Sequence, residues 1–302
     1  MRVRKAPELA RYQGDPGLAR SGSPGKHGIL HLEFARSGDR SVLTHLRRQA
    51  PLLAQQALYW DEYLPAMPCV FMITTSGCVV QGDRLDFSVS VGPAAMAHVT
   101  TQAATKVHQM DAGFAEQSTR LQLADDAYLE LLPGPVIPQR HSRFTSSTTA
   151  TVAANATALI AEFVAPGRKH HGGELFQYDF YSSALTLTRP EGTVLCTEKL
   201  VSEPGRHPVR QAGVMGEFDV LGNVTLAAPV RLAEAVLDQV DMRANSSAGC
   251  MAGASRLPND AGLVYKVLGK ETEPVKGKVR EFWRLVRHEA LGARIPEPRW
   301  WA

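Results

Sequence analysis

The sequence predicts a mainly-β protein, a long run of strands that gives way to two helices near the C-terminus. Three observations carry this. Leu85, Phe87, Val89 and Val91 alternate strictly with Asp86, Ser88 and Ser90, the period of a half-buried strand. The segment 175–201, LFQYDFYSSALTLTRPEGTVLCTEKLV, reads as a hairpin turning at Pro190-Glu191-Gly192. Helical spacing of apolar residues begins only after Pro229.

Taken in order, residues 1–26 hold many Gly, Pro, Ser and Arg and no apolar stretch. They read as a mobile basic arm rather than a signal peptide. A single β-rich domain is expected over 27–302. Ile29, Leu30, Leu32 and Phe34 precede a Ser-Gly-Asp turn, and residues 41–53 are ambiguous. Residues 66–77, AMPCVFMITTSG, form a buried strand entering a glycine-containing loop. A further strand sets Met96, His98, Thr100 and Gln102 on one face and Ala97, Val99 and Thr101 on the other; two more flank an Asp125-Asp126 turn, and the Thr- and Ala-rich stretch 142–167 ends in an apolar strand. The first helix places Leu232, Val236, Leu237 and Val240 on one face, with Asn245 as its stop. After the strand Gly262–Gly269, Thr272 is the expected cap of a second helix, with Pro274 in its first turn. Val275, Val279, Phe282, Trp283 and Val286 form its apolar stripe; Arg280, Arg284 and Arg287 are expected off it, with Arg287 and His288 in the last turns, where positive charge suits the dipole.

Composition narrows the function. The 302 residues are 44% hydrophobic and 21% charged, with net charge +3, too mild for a nucleic-acid binder. The longest apolar run, Ala66 to Ile73, is eight residues and contains Pro68, against the roughly 20 that cross a bilayer. Cys69, Cys78, Cys196 and Cys250 make no C-x-x-C pair, which fits a reduced, cytoplasmic setting.

Two loops draw attention. In the first, Gly77 and Gly82 have the spacing of a phosphate loop, but Asp83-Arg84 replace its Lys-[Ser/Thr] and a strand follows instead of a helix. The glycines read as a structural turn. Asp83 and Arg84 either lock that turn or line a polar passage, and Cys78 sits beside them. In the second, Gly167–Glu174, the residues His170, His171 and Glu174 offer metal-ligand types on a glycine-rich loop. An exposed polar turn is the plainer alternative, and a metal-dependent hydrolase the sharper one. No nucleophile elbow is present.

The chain resembles the UreD/UreH family of urease accessory proteins. The resemblance rests on SGCVVQGDRL, TTQAATKVHQ, YLELLPGPVIPQ, GRKHHGGELFQYDF, LTRPEGTVLCTEKL, AGASRLPNDAGLVYKVLG and the terminal PEPRWW, in that order. It implies a long stack of strands with β-helix-like winding and two helices near the C-terminus. It implies a non-catalytic scaffold in nickel delivery and metallocentre assembly, with no tightly bound cofactor and nickel only in transit through an internal channel. Implied partners are a helical UreF-type accessory protein, a UreG-type GTPase through it, and the urease apoprotein. The family's glycine loop is usually richer in glycine; here Ser76 and Gln81 stand in and Cys78 is added. On this reading Asp83, Arg84, Glu174, His170, His171 and Cys78 are candidates for the metal route or polar channel. Trp283, Trp300 and Trp301 are candidates for partner binding, because tryptophan is enriched at hot spots.

Overall fold

A computed structural model describes residues 7–13, 25–240 and 249–297. Seventeen strands occur among them. In chain order they are β1 (His27–Ser37), β2 (Arg40–Gln49), β3 (Leu52–Leu53), β4 (Cys69–Thr74), β5 (Arg84–Val91), β6 (Met96–Thr101), β7 (Thr105–Val107), β8 (Ala115–Leu123) and β9 (Tyr128–Leu132). There follow β10 (Val136–Pro138), β11 (Arg143–Val152), β12 (Thr157–Val164), β13 (Phe180–Thr188), β14 (Val194–Ser202), β15 (Val220–Ala227), β16 (Cys250–Arg256) and β17 (Gly262–Gly269). Helix α1 (Val230–Leu237) lies between β15 and β16, and α2 (Thr272–Leu291) follows β17.

The strands form two sheets. One has seven strands in the order β14-β13-β11-β8-β5-β1-β2; the other has ten, with β16-β17-β15-β12-β9-β6-β4-β3 as its main path. Between β4 and β13 the main strands alternate between the sheets. Strands β5, β8, β11 and β13 fall in the first, and β4, β6, β9 and β12 in the second, with parallel neighbours throughout. Parallel strands need a crossover. Here a strand of the opposite sheet serves as that crossover, where an α/β protein would use a helix. Antiparallel strands β2, β14, β15, β17 and β16 extend the two sheets at their edges.

The inner faces of the two sheets enclose the larger core, with Phe87 and Val89 from β5 and Leu121 from β8 meeting Val99 from β6 and Leu129 from β9. The expected alternation in β5 is observed: Leu85, Phe87, Val89 and Val91 are buried, and the polar residues between them are half-buried. A second core lies on the far face of the ten-stranded sheet, where both helices pack. Tyr265 stacks on Phe282 with ring centroids 4.6 Å apart. Gly222 and Gly269 allow that approach, because a Cβ on either would stand 2.8 or 2.5 Å from a methyl of Val275.

Several expectations need correction. The residue flanking α2 is Glu271 and no side chain caps it; Thr272 is already inside the helix. Trp283 is 1% exposed in the second core, so it is a packing residue and offers no surface to a partner. Trp300 and Trp301, like Asn245, lie outside the described residues. Strand β16 has small residues in no alternating pattern and was not expected. Within the segment expected to be an arm, Pro7–Tyr12 forms a 3₁₀ turn whose Leu9 is buried against Phe114 and Phe180.

Candidate functional site

The glycine loop joins β4 to β5. Gly77 and Gly82 have φ of 65° and 76°, the region that favours glycine. Asp83 is 0% exposed. Its carboxylate accepts the backbone N–H of Lys26 and of Val80, each at 3.0 Å. Arg84 donates to the carbonyls of Asp83 and Phe114 at 3.1 and 3.2 Å and pairs with Glu116 at 3.0 Å. Both charged side chains thus hold the turn against β1 and β8. Cys78 is half-buried and free.

The second loop turns its glutamate inward. The Glu174 carboxylate accepts the N–H of Arg140, and Nε of Arg168 at 2.8 Å. His170 is turned outward, 80% exposed, with Nε2 3.1 Å from Glu271. His171 is exposed. The three side chains therefore do not converge, and no group of three or more His, Cys, Asp or Glu among the described residues is placed to hold a metal ion. That removes the geometric basis for a hydrolase centre on this loop. Lys169, beside the histidines, ties the loop to Asp219 and Glu271 at 2.8 and 2.6 Å. Burial would lower its pKa, but these two carboxylates outweigh that and raise it.

The space between the sheets supplies a different site. A cavity of about 160 Å³ opens between them. Its walls carry Thr101 from β6, Thr119 from β8, Thr148 from β11 and Ser183 from β13, among apolar residues such as Leu131. Glu162, on β12, accepts the hydroxyls of Tyr181 and Ser183, both at 2.8 Å. Burial pushes its carboxyl above the ordinary range, and the two hydroxyls only partly offset this. Nearer the edge, Glu198 of β14 accepts from Asn223 of β15 at 3.2 Å and pairs with Lys266 of β17. These contacts join the two sheets beside the cavity. The cavity walls offer oxygen donors and one shielded carboxyl.

Sequence reasoning also missed a buried charge network. Arg287, expected off the stripe and at the dipole end of α2, is instead 1% exposed. Its guanidinium grips both oxygens of Glu130, at 2.8 and 2.7 Å, and reaches Asp61 at 2.5 Å. Glu130 also accepts from Tyr128 at 2.8 Å and lies 2.7 Å from His98 Nδ1. The signal was available, since Arg287 stands four residues after Trp283 on the same helical face.

Comparison with known proteins is consistent over nearly the whole chain. A family profile described as UreD urease accessory protein matches residues 26–302. The urease accessory protein UreD of Photorhabdus laumondii is 48% identical over 297 residues, covering 98% of this chain and 92% of the relative. UreD 2 of Brucella suis is 46% identical over 299 residues, 99% of each. UreD of Yersinia pseudotuberculosis is 46% identical over 297 residues, 98% of this chain and 92% of the relative.

Proposed function

The chain belongs to the UreD family of urease accessory proteins, and from that premise we propose that it serves maturation of the urease nickel centre as a non-catalytic scaffold. The observation that carries this is similarity to UreD proteins along 98–99% of the chain. Association with other urease accessory proteins follows from the family. The finer reading is ours: a helical UreF-type protein binds directly, a UreG-type GTPase joins through it, and the complex docks on the urease apoprotein in the cytoplasm. Residues from 27 onward act as one unit.

Nickel is cargo here. We place its passage in the cavity between the sheets, whose hydroxyl walls and Glu162 suit a cation that must move on. Asp83 is engaged by backbone N–H groups and Glu174 by a backbone N–H and Arg168, so each holds its own loop instead of offering a free metal ligand. His170, exposed beside Glu271, and His171 and Cys78 remain candidates for capture at the surface.

The test is co-expression with a UreF-type partner, a UreG-type GTPase and urease subunits in limiting nickel. Urease activity and nickel content are read together with co-purification. The expected result is a stoichiometric complex and nickel-loaded urease only when this chain is present. Equal activation without it, or metal-dependent hydrolysis by this chain alone, would overturn the proposal.

A further inference from the structure

The outer face of the seven-stranded sheet is turned away from both cores, and the two helices pack on the other sheet. On this face the pairing register sets Arg47 of β2 beside His31 of β1, His31 beside Ser88 of β5, and Ser88 beside Arg120 of β8. Strands stand about 4.8 Å apart, so the backbones of the two arginines are roughly 14 Å apart, with His31 and Ser88 between. Both arginines are exposed, and neither is ion-paired among the described residues. Arg120 makes only a long contact, 3.5 Å, to Ser118. Burial, and then the charges of Arg47 and Arg120, push the His31 imidazole below its ordinary range. The three groups therefore share one field.

We propose that this row is a docking surface for an acidic protein segment lying across the strands, with carboxylates seated on Arg47 and Arg120. Charge complementarity selects the occupant. Every member of the row can donate a hydrogen bond, and guanidinium forks match carboxylates. Protection of a sheet edge accounts for arginine on β2, an edge strand, but not for Arg120, because β8 is central in its sheet. Nucleic acid fits poorly. Glu33 lies on β1 on one side of the row, and Asp86, bound to His27 at 2.6 Å, on the other, so a continuous run of phosphates would meet both. A membrane fits poorly as well, since the row has no apolar side chain to enter lipid. The surface is separate from the cavity and stands whether or not nickel passes there.

The experiment measures binding of a fluorescein-labelled glutamate–alanine peptide to the full chain by anisotropy. Oligothymidylate and phosphatidylglycerol vesicles are parallel probes. The peptide is expected to bind, more weakly as salt rises, and Arg47→Glu with Arg120→Glu is expected to raise Kd at least about tenfold. Circular dichroism and Arg120→Gln alone, with a smaller loss, guard against a folding defect. No binding of the peptide, or equal binding by the charge-reversed chain, would overturn the proposal. So would tighter arginine-dependent binding of the oligonucleotide or the vesicles.

Discussion

Replacing Arg287 by methionine keeps the bulk of the side chain and removes its charge. Glu130, 0% exposed, then loses both oxygens' guanidinium partners and keeps only Tyr128 and His98. Asp61, also buried, loses its partner but still accepts the N–H groups of Tyr63 and Leu64. Breaking a buried pair from one side costs about 3–5 kcal/mol. At about 2 °C per kcal/mol for a chain of this size, Tm should fall by about 6–10 °C. The pH dependence is a sharper test. In the wild type, burial would raise the Glu130 pKa, but Arg287 and His98 overcome this and hold it well below the carboxylate range. A depressed native pKa gives stability that is present above the unfolded value, about 4.3, and lost as pH falls through the native one. Without Arg287, burial dominates and the native pKa rises. The variant's penalty then shrinks as pH falls and the carboxyl takes up a proton. Urea denaturation from pH 7 to pH 5 should therefore show the gap between wild type and variant narrowing. Adding Glu130→Leu should recover part of the loss at pH 7, because an apolar pair can replace a buried ion pair. A gap under about 1 kcal/mol, or one independent of pH, would refute the account.

Asp83→Ala should cost about 2–4 kcal/mol, since two backbone N–H groups lose a charged acceptor; thermal denaturation reads this, and an unchanged Tm would show that the turn holds without it. Gly222→Ala should cost about 1–3 kcal/mol by pressing a Cβ into Val275; Val275→Ala in the same chain should relieve it if the clash is the cause. Thr148→Phe puts bulk into the cavity. It should lower urease activation in limiting nickel while leaving partner capture intact, and full activation would exclude the cavity from the route.

The fold was legible where one face of a strand meets water and the other meets the core, as in β5. It was less legible elsewhere, for identifiable reasons. All five residues of β9 are buried, so it reads as a plain apolar run. Strand β2 is an edge strand with exposed arginines, so alternation fades. The division into two sheets leaves no local mark at all. Leu85 pairs with Gly28 on one side and Gln117 on the other, and neither neighbour can be inferred from the sequence around Leu85. Asp83 and Glu174 were recognised as unusual carboxylates, but their partners are largely backbone N–H groups, which sequence does not display.

The cavity left a fainter trace, and its physics explains why. Thr119 sits at an inward position of β8, in phase with Leu121 and Leu123. Ser183 shares its inward phase with Leu185 and Leu187, and Glu162 lies between Ala161 and Phe163 in a strand otherwise buried throughout. A polar group at such a position costs free energy unless it finds a partner or water. One such residue in one strand is unremarkable, since a neighbouring hydroxyl can satisfy it. Inward polar groups on successive strands are different, because the parallel register sets them side by side in adjacent rows, Thr119 beside Thr148 and Gln117 beside Ser146 beside Ser183. The cost is then met jointly, by hydrogen bonds such as those of Tyr181 and Ser183 to Glu162 and by the space between the sheets. The informative signal is thus the recurrence of polar residues at core-phase positions along the chain. It becomes readable only once the strands are known to be parallel and in register.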